Sequence, residues 1–265
     1  MFTLLRWVAH LAAFGRMSDV IDRVEDAACS AMRTFAKDPH SGERPPVPLP
    51  AGARPVLPDG IGYVTYIDFD RLVAQARQRD ITVHVAAIPG TMVHKGRPLF
   101  HVVGGDDLER DSDLVKAFTI ERHRDFDHDP RLGLIALGEI AGRALAPATN
   151  DPGTAVEVLN ALFRTLTQLP AHGAVPDGDL PPIHMVRPSI EEMVRAGFAP
   201  IVREGAGEEE VAIRAFKILF ALGETLPHAG EVTRALTDEL AENVARVMLD
   251  TAAAAKTLAV RGDNF

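Results

Sequence analysis

The sequence predicts an α+β chain: a small β-rich, barrel-sandwich-like unit followed by an α-helical bundle, with a helix at the N-terminus. Three observations predict it. Residues 61–123 hold short apolar runs separated by Pro-Gly and Lys-Gly turns, the pattern of small strands. Residues 124–265 repeat apolar side chains at three- and four-residue steps, the helical period. Residues 38–60 contain seven prolines and read as a linker that sets the N-terminal helical pattern, 1–37, apart from the β-rich unit. A chain of 265 residues is long enough for a sizeable core in one or two domains.

Composition narrows the functional classes. A net charge of −9 argues against a general nucleic-acid binder. The single cysteine, Cys29, rules out an internal disulfide framework and reads as a small packed residue in a helix. Phe2–Phe14 is apolar but carries Arg6 and His10. It is short of the ~20 apolar residues a spanning helix needs. It is open as an interfacial helix, a packed helix or the end of a spanning one.

Taken in order, Met17–Phe35 carries an apolar stripe of Val20, Val24, Ala27, Ala28 and Ala31. Strands are expected at Ile61–Ile67, Ile81–Ile88, Thr91–His94, Pro98–Val103 and Thr119–His123, with a short helix at Asp68–Arg79. Gly104–Asp113 reads as a solvated acidic loop and Leu114–Phe118 as helical. Leu132–Ala146 is apolar on nearly every side and is expected to be buried. Helices then follow at Pro152–Leu169, from the Ser189 cap to about Val202, at Glu208–Leu226 and at Gly230–Lys256, with a short strand at Ile183–Val186.

The densest polar chemistry sits where Leu132–Ala146 meets Pro152–Leu169. Glu139 and Arg143 are four apart with the acid first, the better orientation for a helical ion pair. Pro147 ends the first helix. Asp151 before Pro152 is a cap followed by proline at the first helical position. One reading is a helix–cap–helix corner with a structural ion pair. The other is a polar ligand-binding cluster of Glu139, Arg143, Asn150, Asp151 and Thr154, with Arg122 and Asp125 from the charged run Glu121–Pro130 folded over it. Without that role, the charged run reads as a solvated connector. No catalytic residue is assigned. The chain lacks G-x-S-x-G, H-E-x-x-H, a Walker loop and C-x-x-C, so a hydrolase would have to be built from the Glu139, Arg143, Asn150 and Asp151 cluster.

Three weaker signals lie in the β-rich unit and just after it. His84, His94 and His101 could meet at a metal if their strands were in register. No metal-ligand spacing supports this, and no metal or other cofactor is expected. Asp125, Asp127 and Asp129 are spaced like part of a calcium loop, but its glycine and closing glutamate are missing. Val93, Gly96, Pro98 and Leu99 match the V-x-x-G-x-P-L turn of sandwich-like domains that carry biotin or lipoate. The Met-Lys-Met hairpin of those domains is absent, so the resemblance implies a fold and no swinging arm.

Glu139-Ile-Ala-Gly-Arg143-Ala-Leu-Ala-Pro147-Ala-Thr-Asn150-Asp151-Pro152-Gly-Thr154-Ala155 resembles the D-I-A-x-R-A-L-S-P-A-I-N-D-P-x-T-A motif of a bacterial family of predicted membrane proteins, domain-of-unknown-function family 2254. Gly62, Val64, Ile67 and Asp68 match that family's G-x-V-x-x-I-D element. Arg124, Asp129, Leu132 and Gly133 approximate its R-x-x-x-x-D-x-x-F-G element. Pro188, Ser189, Ile190, Glu191 and Glu192 match a helix start. Glu139, Ala146 and Thr149 depart from it. The resemblance implies several spanning helices ahead of a soluble region, with residues 1–37 as the remnant of the membrane-proximal helix. It implies a bacterial inner-membrane location with the soluble region in the cytoplasm. The expected function is a non-enzymatic ligand- or ion-sensing, gating or assembly module, working as a homo-oligomer and associated with the membrane through the N-terminal segment or spanning helices.

Overall fold

The computed structural model describes residues 17–37, 47–105, 108–170 and 182–262. The chain is mixed α and β and divides into two compact units. A helical unit gathers residues 1–36, 133–172 and 189–265; a β unit gathers 37–132 and 173–188. Phe2–Phe14 lies outside the described residues.

The β unit contains β1 (Arg54–Val56), β2 (Gly62–Ile67), α2 (Phe69–Gln78), β3 (Thr82–Val85), β4 (Met92–Val93), β5 (Phe100–Val103), α3 (Leu108–Val115), β6 (Phe118–Glu121) and β7 (Ile183–Met185). They form two open sheets, ordered β1-β5-β3-β7 and β4-β2-β6. Val64, Leu72, Val83, Leu99, Phe100, Val102 and Leu114 are fully buried in its core. Phe100 and Phe118 stack with ring centroids 5.2 Å apart. Asp68 caps α2, its side chain accepting the Arg71 N–H at 3.0 Å.

Two expectations change in this unit. The proline-rich stretch is not all linker: Arg54–Val56 pairs with β5 as an edge strand, where Pro55 costs no inner ladder bond. The acidic stretch after Gly104 is helical from Leu108, and its Asp111 is buried rather than solvated. Asp111 accepts from Arg54 Nη2 at 3.0 Å and from Arg79 Nη2 at 2.6 Å. The short strand expected near residue 183 forms as Ile183–Met185. It joins the sheet as a parallel neighbour of β3, a pairing that no local signal carries.

The helical unit contains α1 (Met17–Lys37), α4 (Pro130–Ala144), α5 (Pro152–Leu166), α6 (Ile190–Glu204), α7 (Glu209–Thr225), α8 (Gly230–Val247) and α9 (Thr251–Ala259). The boundary between the units falls at Leu132/Gly133, inside α4. Leu137, Leu159, Leu162, Phe198, Ile201, Leu219 and Leu236 are fully buried in one core. α1 shares that core through Ile21 and Met32, so its buried face lies about one residue from the predicted stripe, and Val20 is exposed. Arg164 of α5 grips Glu25 of α1 with hydrogen bonds of 2.5 and 2.6 Å, and Cys29 is buried against Thr165. The expected helix 230–256 is two helices. Asp250 caps the second by accepting the N–H groups of Ala252 and Ala253. Such local capping competes with continuing α8.

α4 also differs from expectation. Leu134, Leu137, Gly138, Ala141 and Ala144 face inward, while Glu139 and Arg143 are exposed. The residues on its outer side include partly covered alanine, isoleucine and leucine, which is why the sequence reads as greasy all round. A Cβ at Gly138 would stand 2.8 Å from the Gly197 carbonyl oxygen, so α4 and α6 approach there at a distance only glycine permits.

Candidate functional site: the α4–α5 joint

The joint is built from the backbone outward. α4 ends with the N–H groups of Thr149 and Asn150 donating to the Ala146 carbonyl at 2.8 and 2.9 Å. The Asp151 N–H donates to the Ala144 carbonyl at 2.8 Å. These bonds serve carbonyls that the helix end would otherwise leave orphaned. The reversal requires a left-handed residue, and Asn150 supplies it at φ 47°. Asparagine is among the few non-glycine residues that tolerate that region. The local geometry thus explains why asparagine precedes the cap.

Asp151 then starts α5. Its Oδ1 accepts the Thr154 N–H at 3.1 Å and its Oδ2 accepts the Thr154 hydroxyl at 2.6 Å. These two bonds, led by the hydroxyl, hold the Asp151 carboxyl below its ordinary pKa. Thr154 is buried and its hydroxyl and N–H both serve the cap. Glu139 and Arg143 meet at 3.5 Å, with side chains 60% and 81% exposed respectively. An exposed pair of that length contributes at most a few tenths of a kcal/mol, about 0.3–0.5 at best.

Glu139, Arg143, Asn150, Asp151 and Thr154 therefore share the helical unit, four of them at its surface and Thr154 beneath the cap. Arg122 and Asp125 belong to the β unit. Arg122 is exposed, and Asp125 Oδ1 accepts the Asp127 N–H at 3.2 Å in a local turn. The charged run holds a buried ion pair that its charge pattern does not mark, although Arg124 and Asp129 are the Arg and Asp of the R-x-x-x-x-D element matched above. Asp129 is buried, its Oδ2 accepting both Nε (2.8 Å) and Nη2 of Arg124 and its Oδ1 accepting from the Arg131 backbone and guanidinium. Arg131 also donates to the Pro89 carbonyl at 3.0 Å. A Cβ on Gly90, at φ +86°, would fall 2.1 Å from Asp129 Oδ2. The calcium-like spacing thus resolves into an arginine-clamped aspartate packed on a glycine turn.

Two of the three predicted histidines, His84 and His101, come together, and His94 does not. His84 lies directly opposite His101 on β5 and level with His184 on β7, giving a three-histidine row across the sheet. Sequence reasoning missed His184, because only the strand pairing of β7 brings it there. The His84 and His184 rings stack at 4.6 Å. Stacked rings present faces to each other rather than converging lone pairs. Burial first, and then His184 and His101, push the His84 pKa down. His94 stands apart in a turn, accepting the Gly96 N–H at 3.1 Å. Among the described residues, no group of three or more His, Cys, Asp or Glu is placed to hold a metal ion.

The sequence profile of the predicted membrane protein family DUF2254 matches residues 1–221, which includes the whole joint. The chain belongs to the DUF2254 family. It is similar to an uncharacterised protein of Mycobacterium tuberculosis and to one of Mycobacterium bovis, each 27% identical over 284 residues. The similarity covers 96% of this chain and 53% of each of those proteins, so the chain spans about half the length of the curated relatives it matches. No solved structure matches it. Among the described residues, no helix is long and apolar enough to cross a membrane.

Proposed function

We propose that this chain is the cytoplasmic part of a bacterial inner-membrane protein and acts as a non-enzymatic assembly or gating module. In this reading the α4–α5 joint is a contact surface on which a second copy docks. The supporting observation is the placement of Glu139 and Arg143. They are the two charged side chains of α4 beyond its first turn, they stand outward on an otherwise apolar helix, and their mutual bond is long and exposed. Folding therefore has little use for them, whereas a partner surface has. Asn150 and Asp151 lie exposed on the same joint, held rigidly by backbone bonds and a cap. Rigid, charged and outward-facing groups suit partner selection better than enclosure of a small molecule.

Sedimentation and light scattering on the purified chain test the reading. The expected result is a discrete oligomer at micromolar concentration that Arg143→Glu breaks into monomers while the far-ultraviolet circular dichroism spectrum stays that of the unaltered chain. A chain that stays monomeric to high concentration, or an oligomer indifferent to Arg143→Glu, refutes it.

A further inference from the structure

The strand pairing that brings the third histidine into place also lines up like groups across the sheet. His101 of β5, His84 of β3 and His184 of β7 stand opposite one another in register, so their side chains share one face. The other face of β3 and β7 is apolar, with Val83, Val85 and Ile183 buried in one core with Leu72 and Ala76 of α2. His84 is the middle member of the row and 8% exposed. Its ring centroid lies 4.6 Å from that of His184, with the planes 21° apart.

Among the described residues, this face offers the row no negative charge. Thr82 and Ala86 flank His84, Val186 follows His184, and the row ends on Pro55 beside His101. The nearest charged residues along the chain, Asp80, Arg97 and Arg187, lie outside the three strands. The groups whose charge acts on His84 are the imidazoles of His184 and His101. Like charges directly opposite on neighbouring strands are destabilising. Each added imidazolium is therefore opposed by the one beside it, and burial opposes it as well at His84.

The three strands are not held equally. β5 is paired on both sides, with β1 and with β3, whereas β7 is outermost and has three residues. Three register pairs join β3 to β7, against four joining β3 to β5. The Val83 N–H adds a bond to the Pro182 carbonyl at 2.9 Å. Of the two contacts that crowd His84, the one to β7 has less ladder behind it.

We infer that β7 is an acid-released strand: protonation of the histidine row detaches Ile183–Met185 from β3 while β1, β5 and β3 stay paired. The neutral row holds the strand in place. Below the usual imidazole range the separated histidines take up more protons than the assembled row, so acid favours release. The depressed His84 pKa has the matching sign: its contribution is complete above the ordinary imidazole value and is lost as pH falls toward the folded one. Release withdraws Ile183 from the β core and frees the stretch that leads into α6. The device does not depend on the α4–α5 joint.

Hydrogen exchange of the full chain tests this, read by mass spectrometry at about pH 7.5 and about pH 5.5 and corrected for the intrinsic rate at each pH. Protection of the peptide covering Ile183–Met185 is expected to fall about tenfold or more, the effect of one extra proton over one pH unit. Peptides covering Arg54–Val56, Phe100–Val103 and Gly62–Ile67 keep theirs. In His184→Gln, a half-buried edge position, the acid-dependent loss shrinks to about twofold or less. His101→Gln, which alters no residue of β7, reduces it too. Unchanged β7 protection at the lower pH overturns the proposal. So does a loss shared equally by all the β strands, which is acid unfolding of the whole unit, or a loss that both variants retain in full. If His184→Gln already lacks β7 protection at the higher pH, His101→Gln decides: an undiminished acid response there overturns the proposal, and a reduced one supports it.

Discussion

Replacing Asp129 with asparagine should destabilise the β unit far more than any change at the exposed joint. The aspartate side chain is 2% exposed, and it holds two arginines whose side chains are each 22% exposed. An asparagine in its place would keep the volume and one acceptor. It would also turn an amide N–H₂ toward a guanidinium and remove the carboxylate that Arg124 and Arg131 share. Breaking a buried pair by removing one partner costs about 3–5 kcal/mol. The arginines keep partial access to water, which places the loss at or below the lower end, about 2–3 kcal/mol. Because the chain has two units, a single melting curve is the wrong readout. Hydrogen exchange measured by mass spectrometry against denaturant separates them. Peptides covering Gly62–Ile67 and Met92–Val93 should lose protection at lower denaturant, while peptides from α7 should not move. Glu139→Gln serves as the comparison, with an expected change within about 0.5 kcal/mol. A β unit in Asp129→Asn that opens at the wild-type denaturant concentration would refute the claim that the clamp holds the Pro89-Gly90 turn.

Two further predictions concern pH. The His84 pKa is depressed in the folded state, chiefly by burial, so the unfolded chain takes up protons first on acidification. The stability of the β unit is complete above the usual imidazole value and falls as pH drops below it toward the folded pKa. His84→Gln should flatten that segment of a stability–pH curve, and an unchanged slope would contradict the burial argument. The Asp151 carboxyl is also depressed, through its bonds to Thr154, so its contribution is present above the ordinary carboxylate range and is lost as pH falls through the folded pKa. Asp151→Asn, an equally good cap, should retain α5 while removing that acid-side slope. Asp151→Ala should cost about 1 kcal/mol at neutral pH, read from the denaturation midpoint of the helical unit.

The helix starts were legible because capping is local. Asp68, Asp151 and Ser189 each announce a helix within four residues, and Ser189 forms a full capping box with Glu192. What local reading missed depended on partners or spacings outside the stretch being read. Asp129 looked solvated because its arginines lie within a run of like residues, and spacing cannot tell a clamp from a charged loop. Ile183–Met185 reads as a strand by itself, but its partner β3 lies far back in the chain, and the third histidine of the row came only with that pairing. Glu139 and Arg143 were read into an apolar environment because alanine and isoleucine tolerate both core and surface, so composition could not say which side of α4 faces out.

The pairing of β7 with β3 has a consequence for how the chain is made. During synthesis β3 emerges with one edge open, and its parallel partner follows only after α4 and α5 have left the ribosome. α1 likewise waits for α5 before Glu25 and Cys29 meet Arg164 and Thr165. Each unit is thus closed by a segment that is threaded in after part of the other has been translated. Neither can be cut out as one continuous piece. A fragment ending at Leu132 would leave the Val83–Val85 edge bare, and an unpaired apolar strand edge is a template for aggregation.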